Sequence, residues 1–139
     1  MLYMPILTWT KENSVGVKEI DLQHQKMFSI INDLYDSMVV FKAHEGIDEV
    51  IESLVDYADF HFKTEEKYFE KFDYEEKEVH EAIHQEYRDE VKRLTEKKGE
   101  GVGVEVSYDI FDFLQKWWVG HINFEDKKYT ECFNSHGLS

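Results

Sequence analysis

Residues 61–84 read HFKTEEKYFEKFDYEEKEVHEAIH and contain two amphipathic patterns separated by a short break. The first pattern places His61 and Glu65 four residues apart, and the second places His80 and His84 four residues apart. Because four residues make about one helical turn, each pair lies on one face of a predicted helix. A break as short as Lys71–Glu75 makes the two helices antiparallel neighbours.

The same helical spacing of apolar residues continues on both sides of this segment. Four helices are predicted, over Glu19–Phe41, Ile47–Lys71, Glu76–Lys98 and from about Val104 onward. The other loops, at Lys42–Gly46 and Gly99–Gly103, are equally short. The sequence therefore predicts an all-α fold, an up-down-up-down antiparallel four-helix bundle, with residues 1–18 as an N-terminal arm and 19–139 as the bundle and C-terminal tail.

Composition limits the possible partners and compartment. A chain of 139 residues with 42% hydrophobic residues predicts a single folded domain spanning 1–139. The net charge of −14 disfavours nucleic acid and anionic membranes as partners. A single cysteine, Cys132, and the lack of a recognisable leader or long apolar run predict a cytoplasmic protein. Cys132 is predicted to be a small buried residue or an idle thiol, and the chain to be a monomer.

Five of the seven histidines fall on the predicted inner helix faces: His24, His61, His80, His84 and His121. His44, in a loop, and His136, in the tail, are predicted to be ordinary surface residues. Two residues on antiparallel neighbouring helices lie at the same level when the mean of their residue numbers falls in the loop that joins the helices. The midpoints of successive pairs fall in the first, second and third loops, which predicts one histidine layer across the bundle.

A metal is the expected occupant of this layer, because imidazoles clustered with a buried Glu65 are costly without compensation. Asp126 follows His121 by five residues. A regular helix would turn it about 140° away, so it requires a distorted or ending helix, or serves a second ion. Five imidazoles and two carboxylates exceed the needs of one tetrahedral zinc ion. They suit two six-coordinate ions. Imidazole with carboxylate favours iron, copper, zinc or nickel over magnesium or calcium, and near-octahedral coordination by mixed nitrogen and oxygen donors makes iron the choice.

Two other metal sites compete for part of this pattern. Residues 80–84, HEAIH, match the zinc-protease motif H-E-x-x-H, with Glu81 as the general base. That interpretation leaves the remaining histidines without a role, and Glu81 is expected to face solvent or a neighbouring helix. Glu81 and His84, with Asp21 and His24, also form a partial ferritin-like signature, but the layer is rich in His and poor in Glu. Glu66 is predicted to lie on a solvated helix face.

With these residues in view, nearly the whole chain resembles a bacterial hemerythrin. Trp9 and residues 14–17 (SVGV) and 20–24 (IDLQH) are similar to the family's arm and first ligand. Residues 61–65, 80–84 and 121–126 match its H-x3-E, H-x3-H and H-x4-D motifs, and Trp117 is similar too. The combination of spacings is far more specific than any single motif.

The resemblance implies a role for each ligand. His80, His84 and His121 would hold one iron ion and His24 and His61 the other, with Glu65, Asp126 and an oxo or hydroxo group as bridges. The second iron would keep an open position for O2. The resemblance therefore implies reversible O2 binding for storage or delivery, without enzymatic turnover. An oxygen-consuming client protein is the partner that this role suggests. An O2 or redox sensor and a di-iron redox enzyme are the alternatives.

An apolar lining is expected around the O2 position, and its candidate residues are Phe28, Ile31, Phe62, Trp118 and Ile122. The sequence departs from the family here. Members commonly have Trp-Leu where this chain has Trp117 and Trp118. A second indole in place of leucine bears on oxygen access and affinity, and leaves metal binding unaffected.

Overall fold

A computed structural model describes residues 5–40, 47–99 and 104–139. Its long helices are α1 (Lys18–Tyr35), α2 (Ile47–Lys71), α3 (Lys77–Gly99) and α4 (Val104–Gly120). Consecutive helices pack together and α1 packs against α4, which closes the bundle. The predicted all-α, up-down-up-down four-helix bundle is confirmed, and the three described ranges contain no strand. Within the same ranges, no helix combines the length and the hydropathy that a bilayer crossing requires.

The predicted helix boundaries agree closely with the structure. The bounds predicted for α2 are confirmed, and those of α3 shift by one residue at each end. The first helix is α-helical to Tyr35 and continues as a π-helical turn over Asp36–Val40. The predicted loop at Lys42–Gly46, which includes His44, lies outside the described residues, as do 100–103.

The fourth helix changes type at the position where the sequence predicts a distortion. After α4, the chain forms a π-helical segment over His121–Glu125, a 3-10 turn over Asp126–Tyr129 and a short helix, α5, over Thr130–Ser135. The backbone N–H of Asp126 donates to the carbonyl of His121, five residues earlier, which is the π-helical pattern. This wider turn brings Asp126 onto the inner face beside His121.

Two apolar clusters lie on either side of the histidine layer. The larger fills the bundle towards the end where α2 begins, and it includes Leu34, Leu54, Leu94 and Leu114. The smaller joins the arm, the α2–α3 turn and the tail, and its members are Val15, Val17, Ile20, Phe69, Tyr74, Tyr129 and Phe133. Because apolar side chains fill both neighbouring levels, the layer between them is shielded from water.

The N-terminal arm is fastened to the bundle by its own backbone. The Leu7 N–H donates to Asn32 Oδ1, and the Asn32 side-chain amide donates to the Leu7 carbonyl, both at 2.9 Å. Further along, the Asn13 side chain donates to Asn123 in the π-helical segment at 2.9 Å. The arm therefore covers the outside of the two elements that carry His24 and His121.

Gly16 lies where the arm passes closest to the tail. It has φ +74°, and a Cβ added there would lie 3.0 Å from Thr130 Cγ2. The Thr130 hydroxyl also donates to the Val15 carbonyl at 2.6 Å, so this approach is fixed. Glycine is therefore required both for its left-handed conformation and for the lack of a side chain.

Replacing Gly16 with alanine is expected to lower the free energy of unfolding by about 2–3 kcal/mol, because left-handed strain adds to overpacking against Thr130. Gly137→Ala is the matched control, since Gly137 has φ +86° but open space around its Cα. That control is expected to lose about 1–2 kcal/mol. Urea denaturation of the two variants measures the difference, and equal losses would contradict the close approach.

Candidate metal centre

The seven predicted ligand side chains meet in one buried layer of the bundle. They are supplied by α1 (His24), α2 (His61 and Glu65), α3 (His80 and His84), the π-helical segment (His121) and the 3-10 turn (Asp126). Each is at most 4% exposed. The five histidines therefore lie at one level, as the loop midpoints predict.

These side chains form two overlapping groups, each able to hold a metal ion. One group contains three imidazoles and the other contains two, and the same two carboxylates belong to both. Within a group the potential ligand atoms all lie within 4.8 Å of one another. The first group is Glu65, His80, His84, His121 and Asp126, and the second is His24, His61, Glu65 and Asp126. Carboxylates shared between two sets of imidazoles suit a pair of ions better than one.

Both carboxylates lie between the two groups of imidazoles. Asp126 Oδ1 lies 2.9 Å from His121 Nε2 and 3.0 Å from His80 Nε2, whereas Oδ2 lies 3.0 Å from His24 Nε2. Glu65 Oε1 lies 3.2 Å from His61 Nε2 and 3.3 Å from His84 Nε2. Each carboxylate thus contacts an imidazole from both sides of the layer, as a bridging ligand must.

The layer contains polar atoms that have no hydrogen-bond partner. Within the part of the chain that the structure describes, such atoms are His24 Nδ1, Glu65 Oε1, His80 Nε2, His84 Nε2, both His121 ring nitrogens and both Asp126 oxygens. His24 Nε2 and His61 Nε2 also face each other at 3.1 Å. Buried polar atoms normally find partners, and a cluster of unsatisfied ones requires an explanation. Metal ions among the converging atoms would satisfy most of them, so the residues present fit a two-ion site.

The charges of the layer favour a cation. Burial raises the pKa of Asp126, but the surrounding imidazoles, with His121 foremost, hold it well below its usual value. The pKa of Glu65 is also lowered, because contacts with His61 and His84 outweigh burial and the repulsion from Asp126. Burial lowers the pKa of His24. Burial also opposes protonation of His84, but its contacts with Glu65 and Glu66 outweigh burial and raise its pKa to about 9. The two ionised carboxylates form a donor set that a cation would neutralise.

Three residues that the sequence did not indicate as part of the site contact side chains of the layer. Gln23 Oε1 lies 2.7 Å from His61 Nδ1, and Glu66 Oε2 lies 2.8 Å from His84 Nδ1. The buried Tyr129 hydroxyl donates to Glu65 Oε2 at 2.5 Å. The prediction that Glu66 is a solvated residue is wrong, because its side chain is 22% exposed and turned towards His84. The sequence signal for this contact was the position of Glu66 directly after Glu65, on the side of α2 that faces α3.

Tyr129→Phe is expected to lower the free energy of unfolding by about 1–3 kcal/mol, because the variant leaves Glu65 Oε2 buried without a donor. Tyr74→Phe is the control, since its hydroxyl makes only a long, half-buried contact with Glu76 at 3.3 Å. The control is expected to lose less than about 1 kcal/mol. Equal losses in urea denaturation would show that Glu65 does not depend on the phenol.

The competing metal sites lose support from the structure. Glu81 belongs to neither metal-capable group and lies half-buried outside the layer. Asp21, required by the ferritin-like alternative, instead accepts hydrogen bonds from the Ser14 hydroxyl at 2.5 Å and the Val15 N–H at 2.8 Å.

His136 is exposed, as predicted, and stacks on Phe72. Cys132 is half-buried and free.

The five residues proposed to line an O2 position are Phe28, Ile31, Phe62, Trp118 and Ile122, and all are buried in the larger apolar cluster. Trp118 lies with its ring centre 5.8 Å from that of His61. Phe62 stacks on His84 at 3.9 Å and lies 6.0 Å from His61, so it is closer to the group with three imidazoles.

Trp9 is a further neighbour of the layer that the lining prediction omitted. Its ring centre lies 5.5 Å from that of Phe28 and 6.3 Å from that of His24. Trp117, predicted to share the inner face, is half-buried and stacks on His121 at 4.2 Å, whereas Trp118 is fully buried.

Comparisons with known proteins agree with this geometry. The family profile described as "Hemerythrin HHE cation binding domain" matches residues 15–132. A bacteriohemerythrin from Pseudomonas aeruginosa (strain LESB58) is 34% identical over 98% of this chain and 86% of its own length. One from Methylococcus capsulatus (strain Bath) is 32% identical over 95% of this chain and 100% of its own length.

The fold comparison gives the same result. A crystal structure of wild-type hemerythrin superimposes with a TM-score of 0.80 at 30% identity, covering 91% of this chain and 97% of that one. A crystal structure of a hemerythrin point mutant gives a TM-score of 0.82, covering 93% and 98%. Sequence, fold and the two shared-carboxylate groups agree, and the chain belongs to the hemerythrin HHE cation-binding domain family.

Proposed function

We propose that this chain binds O2 reversibly at a di-iron centre, for storage or delivery of oxygen. His80, His84 and His121 would hold one iron ion, His24 and His61 the other, and Glu65 and Asp126 both. When bound, a ferrous pair would supply the electrons that make O2 binding possible and reversible. The remaining steps depend on how this chain's own residues hold, orient and shield that pair.

The observation that carries the proposal is the unequal number of imidazoles in the two groups. Both groups share the same two carboxylates, but one has three histidines and the other two. If both ions take the same number of ligands, the ion held by His24 and His61 has one protein donor fewer and keeps one open position. A diatomic ligand would fill that position, so we place O2 on the side of these two histidines.

Burial of the layer supports reversible binding over irreversible oxidation. Trp9 packs against His24, Trp118 packs against His61, and Phe28 packs behind Trp9, so apolar rings displace water from the proposed O2 side. The Tyr129 hydroxyl has its proton directed to Glu65. Excluding water and holding the nearby phenol proton in a hydrogen bond both disfavour the release of reduced oxygen species.

The sequence also suggests the oligomeric state, the compartment and the partners of such an oxygen carrier. We propose that the chain works as a monomeric, single-domain cytoplasmic protein that exchanges O2 with a consuming client. Neither a nucleic acid nor a membrane surface suits its net charge of −14. Stoichiometric binding, without turnover, distinguishes this role from that of an enzyme.

An absorption spectrum of the anaerobic, ferrous-loaded protein tests the proposal. We expect a nearly colourless starting form, a visible charge-transfer band after O2 is added, and loss of that band under argon. About two iron ions per chain should accompany the reversible band. A band that forms once and persists would favour a redox sensor, and continuous O2 consumption would favour a redox enzyme. Zinc, with no band, would contradict the di-iron assignment.

A further inference from the structure

The outward-facing nitrogens of the histidines have different partners in the two groups. His84 Nδ1 lies 2.8 Å from the carboxylate of Glu66, whereas His61 Nδ1 lies 2.7 Å from the amide oxygen of Gln23. His24 Nδ1 and His121 Nδ1 have no partner among the described residues. An ionisable carboxylate therefore supports one ligand of the three-histidine group, while a neutral amide supports one ligand of the other.

Glu66 is itself held by a cation. Arg88 Nη2 lies 3.7 Å from Glu66 Oε1 and 3.3 Å from Asp59 Oδ1, and the guanidinium packs over the Phe62 ring at 5.1 Å. The series runs outward from the core: the exposed fractions of the side chains are 0% for His84, 22% for Glu66, 28% for Arg88 and 44% for Asp59. A change of charge at Glu66 or Arg88 is therefore only partly screened by solvent when it acts on His84.

We propose that Glu66 and Arg88 are positioning residues that set the donor strength of His84 in opposite directions. A carboxylate that accepts the Nδ1–H of a ligating histidine fixes its tautomer and makes the other ring nitrogen a stronger metal ligand. Arg88 draws charge away from Glu66 and so limits this effect. Phe62, stacked on His84 with the ring planes 16° apart, fixes the plane of the imidazole while these charges act.

This inference rests on the proposed di-iron centre and adds an electronic difference between its halves. The group with three imidazoles has the anionic support of Glu66, so its ion would prefer the ferric state more strongly than the ion of His24 and His61. The ion that more strongly prefers the ferric state and the ion with the open position for O2 would then lie on opposite sides of the layer.

Two variants that remove opposite charges test the proposal without O2. Glu66→Gln is expected to raise the midpoint potential of the iron-loaded protein, and Arg88→Gln to lower it. In competition with a chelator, the zinc-loaded Glu66→Gln protein should lose about 10–100-fold in metal affinity, and the Arg88→Gln protein should bind zinc at least as tightly as the parent. Arg88→Lys, which keeps the charge, should restore the parent potential.

Glu70→Gln is the matched control, because Glu70 lies four residues after Glu66 on α2 but pairs with Lys77 at the surface at 2.7 Å. It should change neither readout. Shifts in the same direction for Glu66→Gln and Arg88→Gln, or shifts no larger than that of Glu70→Gln, would overturn the proposal and indicate a merely structural pair. Because neither readout uses O2, a protein that holds metal but fails to bind O2 reversibly still tests this inference.

Discussion

Replacing Asp126 with alanine is expected to reduce the iron held by the protein from about two ions per chain to one or fewer. Both Asp126 oxygens face the layer, Oδ1 towards His80 and His121 and Oδ2 towards His24. The change therefore removes a donor from both groups at once, along with one of the two buried negative charges. Iron per chain after anaerobic loading and desalting gives the result directly.

Glu125→Ala is the matched control for Asp126→Ala. Glu125 precedes Asp126 in the chain, but its carboxylate contacts Lys128 at 3.2 Å, and it belongs to neither metal-capable group. This control should retain the parent iron content. If Asp126→Ala also retained about two ions per chain, the assignment of Asp126 as a shared ligand would be wrong.

Trp118→Ala is expected to lower the free energy of unfolding by about 3–5 kcal/mol, because it leaves a large cavity in a closely packed layer. The Trp118 ring is fully buried, stacks on Phe62 with centres 5.4 Å apart, and donates its Nε1–H to the Tyr87 hydroxyl at 2.9 Å. The loss is a large share of the 5–15 kcal/mol that usually stabilises a domain. Urea denaturation measures it.

Trp117→Ala separates the effect of burial from that of losing an indole. Trp117 is half-buried and stacks on His121, with ring centres 4.2 Å apart. Because solvent can fill part of the space it leaves, the loss should be clearly smaller than that of Trp118→Ala. Equal losses would contradict the view that Trp118 fills the interior of the layer.

The sequence predicted which side chains share the layer because most of their positions obey helix geometry. The spacing of four residues in His61–Glu65 and His80–His84, together with short loops, fixes both the face and the level of each side chain. Asp126 was the exception, since a regular helix cannot bring it beside His121. The π-helical segment resolves this by adding one residue to the turn.

The contacts beyond the layer itself required the tertiary structure. Glutamate usually lies on a solvated helix face, so the residue type of Glu66 does not indicate its contact with His84. That contact depends on how α2 and α3 rotate against each other. Tyr129 reaches Glu65 because the chain leaves α4 through a 3-10 turn, and no helical period predicts that path.

By itself, the sequence determined the bundle and, apart from Asp126, the side chains of the layer, because their faces follow from helical spacing and their levels from the short loops. Packing decided which of two adjacent indoles is buried, which histidines gain an outer partner, and how Gly16 meets Thr130. Those features depend on distances between residues far apart in the chain. Such distances are set when the helices dock, so local periodicity does not contain them.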